Sequence, residues 1–154
     1  MGIIARLTKK IKNFYSGRKS DKGGVSGKRF EKQVGRKLKR IGVNVVAQGK
    51  KYDYKGKKGG AEVDIETPRT AIEVKSGKNT SLERRLDKYK EVLPHKEPIA
   101  YAPKIKEQYY QKLKKQNYVV FKEFGSLTDH LYNKGEFTRK GAKKYQRRWN
   151  RRHK

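Results

Sequence analysis

The chain has 154 residues, enough for one domain of ordinary size with length left over for tails. Its 43 Lys and Arg against 15 Asp and Glu give a formal net charge of +28, a field that draws polyanions, nucleic acid before an anionic membrane surface. The absence of cysteine excludes a disulfide framework and a thiolate zinc site, and no apolar run approaches the roughly 20 residues needed to cross a bilayer.

Residues 1–20 place Ile3, Ile4, Leu7, Ile11 and Phe14 at helical spacing among lysines, the pattern of a basic amphipathic helix, and residues 20–25 read as a linker. Ser26 or Gly27 then caps a helix whose stripe is Phe30, Val34, Leu38 and Ile41, with Gly42 as its stop. Residues 43–47 read as a short β-branched strand, and the lysine- and glycine-rich residues 49–60 as an exposed basic loop.

Residues 62–66 and 70–76 read as strands joined at Thr67-Pro68-Arg69. Thr80-Ser81-Leu82-Glu83 is a capping-box pattern opening a helix with the stripe Leu82, Leu86, Tyr89 and Leu93, ended by Pro94. Residues 98–101 and 118–121 read as strands around a helix over 105–116, and residues 127–133 add a short helix. Strands separated by such helices pair in parallel, so the sheet is expected to be mixed, with helices on its faces. Residues 136–154 hold Phe137, Tyr145 and Trp149 among nine Lys and Arg, a tail suited to single strands and expected to be disordered until bound.

The turn at Pro68-Arg69 fixes a register for its two strands. A symmetric connection puts Asp64 opposite Glu73 and Glu62 opposite Lys75. Side chains alternate, so Asp64, Glu73 and Lys75 share one face while Ile65, Ile72 and Val74 take the other. Directly opposed β-carbons lie about 4.5–5.5 Å apart, where two carboxylates repel. An oxygen-preferring divalent cation reverses that sign. Without one, Asp64 and Lys75 could equally form a diagonal surface ion pair worth under about 1 kcal/mol. Glu62 and Glu66 read as surface charges, and His95, His130 and His153 lack ligand spacing.

Asp64 followed by Glu73-Val74-Lys75 resembles the PD-(D/E)XK nuclease superfamily, and the order helix-strand-strand-strand-helix-strand is similar too, over residues 26–121. The resemblance implies an α/β fold with a restriction-endonuclease-like core: a mixed central sheet flanked by helices in the order α-β-β-β-α-β-α-β, with basic N- and C-terminal extensions. Residues 1–25 would then be a basic amphipathic extension and linker, 26–133 the nuclease-like domain and 134–154 a basic tail. It further implies that Asp64 and Glu73 bind Mg²⁺, with Mn²⁺ as a substitute, and that Lys75 assists the attacking water. Glu31 on the first core helix looks like the residue that completes the metal site and the catalytic set. Val63 stands where the motif has proline, its least constant position.

Two branches of the superfamily look similar. Archaeal Holliday junction resolvases share the short basic chain, the glutamate-bearing first helix and a strand like Ile72-Glu73-Val74-Lys75; they imply branched DNA and a homodimer. Restriction-fold toxin nucleases share the look of residues 62–67, residues 72–77 and Tyr101-Ala102-Pro103; they imply DNA or transfer RNA and an acidic inhibitor protein. The expected function is therefore a metal-dependent endonuclease, with DNA ahead of RNA, acting in the cytoplasm, with a secretion route left open. Phosphate contacts are expected from Lys50, Lys51, Lys55, Lys57 and Lys58, which lead into the metal-bearing strand. Arg84, Arg85 and Lys88 of the following helix are expected to add to them. The other classes open to this sequence are a non-catalytic basic nucleic-acid-binding protein and a membrane-surface protein held by residues 1–20.

Overall fold

The computed structural model describes residues 27–78 and 81–154, so the expected N-terminal amphipathic helix and its linker lie outside the described residues. The chain runs α1 (Gly27–Ile41), β1 (Ala47–Tyr54), β2 (Lys57–Glu66), β3 (Thr70–Val74), α2 (Leu82–Val92), β4 (Glu97–Tyr101), α3 (Glu107–Lys115), β5 (Val119–Phe121), α4 (Phe124–Asn133) and α5 (Arg139–Arg152). The five strands form one sheet in the order β1-β2-β3-β4-β5. β1, β2 and β3 pair antiparallel, whereas β3–β4 and β4–β5 pair parallel across the helices α2 and α3. The protein is thus α/β with a mixed central sheet.

Helices cover both faces. Phe30, Val34 and Leu38 of α1 and Leu127 and Leu131 of α4 pack with Ile65, Ile72, Val74, Ile99 and Tyr101 on one side. On the other, Leu82 and Leu86 of α2 and Leu113 of α3 meet Ala100 and Val120, while Tyr89 and Leu93 meet Val63 and Ala71. Every residue of β3 is buried, as expected of a central strand covered on both faces. Among the described residues no helix is long and apolar enough to cross a membrane.

Three expectations need correction. Residues 49–60 are not a loop but most of a β-hairpin, β1 and β2, in which half-buried Tyr52 and Tyr54 alternate with exposed Lys51 and Asp53. Its turn is Lys55-Gly56, both with positive φ (47° and 75°), the combination a two-residue hairpin of native twist requires. Residues 43–47 are correspondingly not a strand of their own; Val43 makes an isolated bridge to Phe137, and regular pairing starts at Ala47. The C-terminal tail is largely helical. The Thr138 side chain caps α5 by accepting from the Gly141 N–H at 3.0 Å, and the Phe137 and Tyr145 rings stand 4.9 Å apart.

Thr80 lies outside the described residues; Ser81, at the N-cap of α2, makes no capping hydrogen bond through its side chain, and Glu83 instead accepts from the Tyr109 hydroxyl.

Candidate metal centre

The β2–β3 turn is held from outside. The Thr67 N–H donates to the Thr70 carbonyl at 3.0 Å. Buried Glu136 brings Oε2 to the turn, where it accepts from the Arg69 N–H at 3.1 Å and from the hydroxyls of Thr67 and Thr70. From that anchor the strands pair Glu66 with Ala71 and Ile65 with Ile72. This is the register expected from the sequence, and its next step brings Asp64 to Glu73.

At that step side chains replace the main-chain ladder. The Val74 N–H donates to Asp64 Oδ2 at 2.8 Å, and the Asp64 N–H donates to the Tyr89 hydroxyl at 3.2 Å. Val63 and Ile65, two apart on β2, accordingly fall in different apolar clusters. The main-chain ladder thus stops where the carboxylates begin.

Glu73 is fully buried. The Tyr89 hydroxyl donates to its Oε2, while Oε1 lies 2.7 Å from Lys75 Nζ and 3.4 Å from Arg85 Nε. Oε1 is thus a buried oxygen ion-paired with both cations. Asp64, 5 % exposed, has its pKa pushed up to about 8 by burial first and the Glu73 charge second; the Val74 N–H and Lys75 act against the rise, and Glu31 adds to it.

Burial likewise raises the pKa of Glu31, with Lys75 opposing and Glu73 reinforcing. Burial acts to depress that of Arg85, but Glu73 and, more weakly, Tyr89, Asp64 and Glu31 hold it above its ordinary value. Burial and the same two carboxylates, Glu73 and Asp64, push the Tyr89 hydroxyl up as well.

The structure therefore brings Asp64, Glu73 and Lys75 together and sets Glu31 within electrostatic reach of them. The expected three-carboxylate set does not close. Among the described residues no three His, Cys, Asp or Glu side chains form a group that could hold a metal ion. A two-carboxylate site remains compatible with Mg²⁺, which is commonly bound by one or two carboxylates together with waters and substrate oxygens. Glu73 Oε1, facing two cations, and Asp64, which burial keeps from ionising, are the groups that a hard cation would join.

Of the expected phosphate contacts, Lys50, Lys51, Lys55, Lys57 and Lys58 all stand exposed on the β1–β2 hairpin, and Arg84 is exposed on α2. Lys50 lies over the Tyr52 ring and Lys55 over the Tyr54 ring. Lys88 is half-buried, donating to the Gly60 carbonyl at 3.2 Å and lying 4.8 Å from the Tyr54 centroid. Arg85 is turned towards the carboxylates rather than held out for phosphate alone.

Glu66 and Glu62 differ from expectation. Glu66 is buried, accepting from Tyr52 and from Lys96 Nζ, whose charge lowers its pKa against the effect of burial. Glu62 approaches Lys28 at 3.9 Å instead of Lys75.

Sequence reasoning missed Tyr89 as a site residue and gave Arg85 a different task. They lie four residues apart on α2, one helical turn, so one docked helix delivers both to Glu73. The available signal was the tyrosine itself, since a tyrosine in an apolar stripe needs a partner for its hydroxyl. No family model, no curated protein and no solved structure matches the chain. What the fold and site define is an α/β domain with a buried carboxylate pair, ringed by cations, where the main-chain ladder of its central hairpin stops.

Proposed function

We propose that the protein is a metal-dependent nuclease of PD-(D/E)XK type, hydrolysing phosphodiester bonds in nucleic acid, with DNA as the first substrate to test. The observation that carries this reading is the buried pair of Glu73, whose Oε1 is shared by Lys75 and Arg85, and an Asp64 that burial keeps protonated to about pH 8. Burial and the neighbouring Glu73 charge disfavour ionised Asp64, a cost that a cation bound by both carboxylates would remove.

Asp64 and Glu73 would hold Mg²⁺, which when bound supplies Lewis-acid polarisation of the scissile phosphate. The chain's own groups do the rest. The Val74 N–H fixes one oxygen of Asp64 and the Tyr89 hydroxyl fixes one oxygen of Glu73, so a metal would take the other oxygen of Asp64 and share Glu73 Oε1 with Lys75 and Arg85. Lys75 Nζ, 2.7 Å from Glu73 Oε1, would orient the attacking water and meet charge developing on phosphorus. Arg85 adds a second, permanently charged group on the α2 side. Exposed hairpin lysines would hold the backbone with little regard for sequence.

The test sets supercoiled plasmid, a four-way junction, linear duplex and transfer RNA side by side with Mg²⁺ or Mn²⁺. Asp64→Asn, Glu73→Gln and Lys75→Met are each expected to lower cleavage by at least about 100-fold with binding retained. Full cleavage by Asp64→Asn, or undiminished cleavage in EDTA, refutes the reading. Tight, salt-sensitive binding without nicking under any divalent metal would make the protein a binder instead.

A further inference from the structure

The C-terminal helix carries charge that no salt bridge among the described residues answers. α5 has a cation at Arg139, Lys143, Arg147 and Arg151, and the residue after each is also Lys or Arg; it contains no acidic residue. No salt bridge among the described residues involves any of them. Like charges four apart on a helix repel, so a row of this kind favours the helix only with anions supplied from outside. At 3.6 residues per turn the cations fan over roughly 220° of the helix, leaving a narrow strip for Ala142, Tyr145 and Trp149.

That strip divides in two. Ala142 and Tyr145 pack on the domain, and the Tyr145 hydroxyl donates to Asp129. Trp149, one turn on, is 44 % exposed, with its ring stacked on His153 at 3.9 Å. The helix is thus seated at its start and projects at its end.

Its seat is a contact between two glycines at the end of α1. A Cβ on Gly141 would stand 2.4 Å from the Gly42 carbonyl oxygen, and the Thr138 N–H donates to that same oxygen at 2.8 Å. α1 bears Glu31 beside the carboxylate pair, and its outward positions Lys28, Arg29, Lys32, Arg36, Lys39 and Arg40 are all exposed. Exposed cations therefore run the length of α1 to the seat of α5.

We infer that α5 is a docking arm for the phosphate backbone of a nucleic acid, holding it beyond the stretch that enters the carboxylate site. The inference rests on the nucleic-acid reading above. Cations repeated every four residues recur about every 6 Å along the helix axis, and the helix extends about 20 Å, the rise of roughly six nucleotide steps. The exposed indole at the projecting end adds a flat face on which a base or sugar can lie.

Trp149 is the single tryptophan of the chain, so its fluorescence reports this helix alone. The experiment titrates the full chain with a 30-base-pair duplex in EDTA at several salt concentrations. It compares the parent, Asp64→Asn, a variant with Arg147, Arg148, Arg151 and Arg152 all changed to Gln, and a second with the same four changed to Lys. Circular dichroism checks that both fourfold variants keep their helix content.

Duplex is expected to quench Trp149 in the parent, in Asp64→Asn and in the lysine variant. The glutamine variant should bind more than about 100-fold more weakly at 0.1 M salt, with a log–log salt slope shallower by about 3 to 4. Unchanged affinity and slope in the glutamine variant overturns the inference. So does saturable binding to phosphatidylserine vesicles with no response to duplex. Loss of slope without any Asp64-dependent cleavage leaves the arm standing and refutes the nuclease. Asp64-dependent cleavage with an unchanged slope does the reverse.

Discussion

Replacing Asp64 by Asn should abolish cleavage and at the same time make the metal-free protein more stable. An unfolded aspartate ionises near 3.8, whereas Asp64 in the fold holds its proton to about 8. Between those values the unfolded chain has released a proton that the native state keeps. Stability from this group is therefore fully present below pH 3.8 and is lost as pH rises through 8. At about 1.4 kcal/mol for each tenfold change in proton affinity, the loss reaches at most about 6 kcal/mol. Asparagine keeps an acceptor for the Val74 N–H and carries no charge to repel Glu73. The variant should thus gain about 2–5 kcal/mol over the parent at about pH 8.5 and little at about pH 4. For a chain of this size that is a rise of roughly 5–15 °C in melting temperature. Thermal unfolding followed by circular dichroism, in EDTA at both pH values, measures it. Added Mg²⁺ should stabilise the parent and not the variant. An Asp64→Asn protein no more stable than the parent at the alkaline pH, or equally stabilised at both pH values, would refute the electrostatic argument.

Tyr89→Phe removes the donor to Glu73 and the acceptor for the Asp64 N–H, and should cost about 2–4 kcal/mol in urea unfolding while lowering cleavage more than binding. Glu136→Ala leaves the Arg69 N–H and two threonine hydroxyls without their shared acceptor at the β2–β3 turn; a loss of about 2–4 kcal/mol, read the same way, is expected. Gly141→Ala drives a methyl group into the backbone of Gly42. It should cost about 1–3 kcal/mol and loosen α5, seen as faster proteolysis within residues 139–152.

The parts of this architecture that sequence reveals are those whose signal is local. Phe30, Val34 and Leu38, or Leu82, Leu86 and Tyr89, each write one buried face at helical spacing, and both helices stand where those stripes put them. Pro68-Arg69 fixed the register that carries Asp64 to Glu73, because a symmetric turn leaves no freedom in the pairing. The β1–β2 hairpin was hidden because its strands are polar over much of their length. Between Ala47 and Ala61 only Tyr52, Tyr54 and Ala61 mark a sheltered side, and the five lysines and four glycines of residues 49–60 read as loop.

α5 was hidden for a similar reason, since Ala142 and Tyr145 alone are too narrow a stripe to announce a helix. Arg85 and Tyr89 at the site, and Glu136 beneath the turn, follow from how α2 and the segment after α4 dock. No spacing within the chain records that. The stop of the β2–β3 ladder at Asp64 is likewise tertiary: it needs a carboxylate on the Val74 N–H and a tyrosine on the Asp64 N–H at once.

β1 occupies one end of the sheet and pairs with β2 alone, so among the described residues no strand meets its outer edge. An eight-residue strand with open main-chain donors and acceptors is a template for another chain to extend. Lys50 and Lys51 stand exposed on that strand, and two copies brought edge to edge would press like charges together. The side chains proposed above to hold phosphate would thus also keep the protein from polymerising through its own sheet. Neutralising them would weaken affinity for nucleic acid and invite self-association together, which an ultracentrifuge would register before any binding assay did.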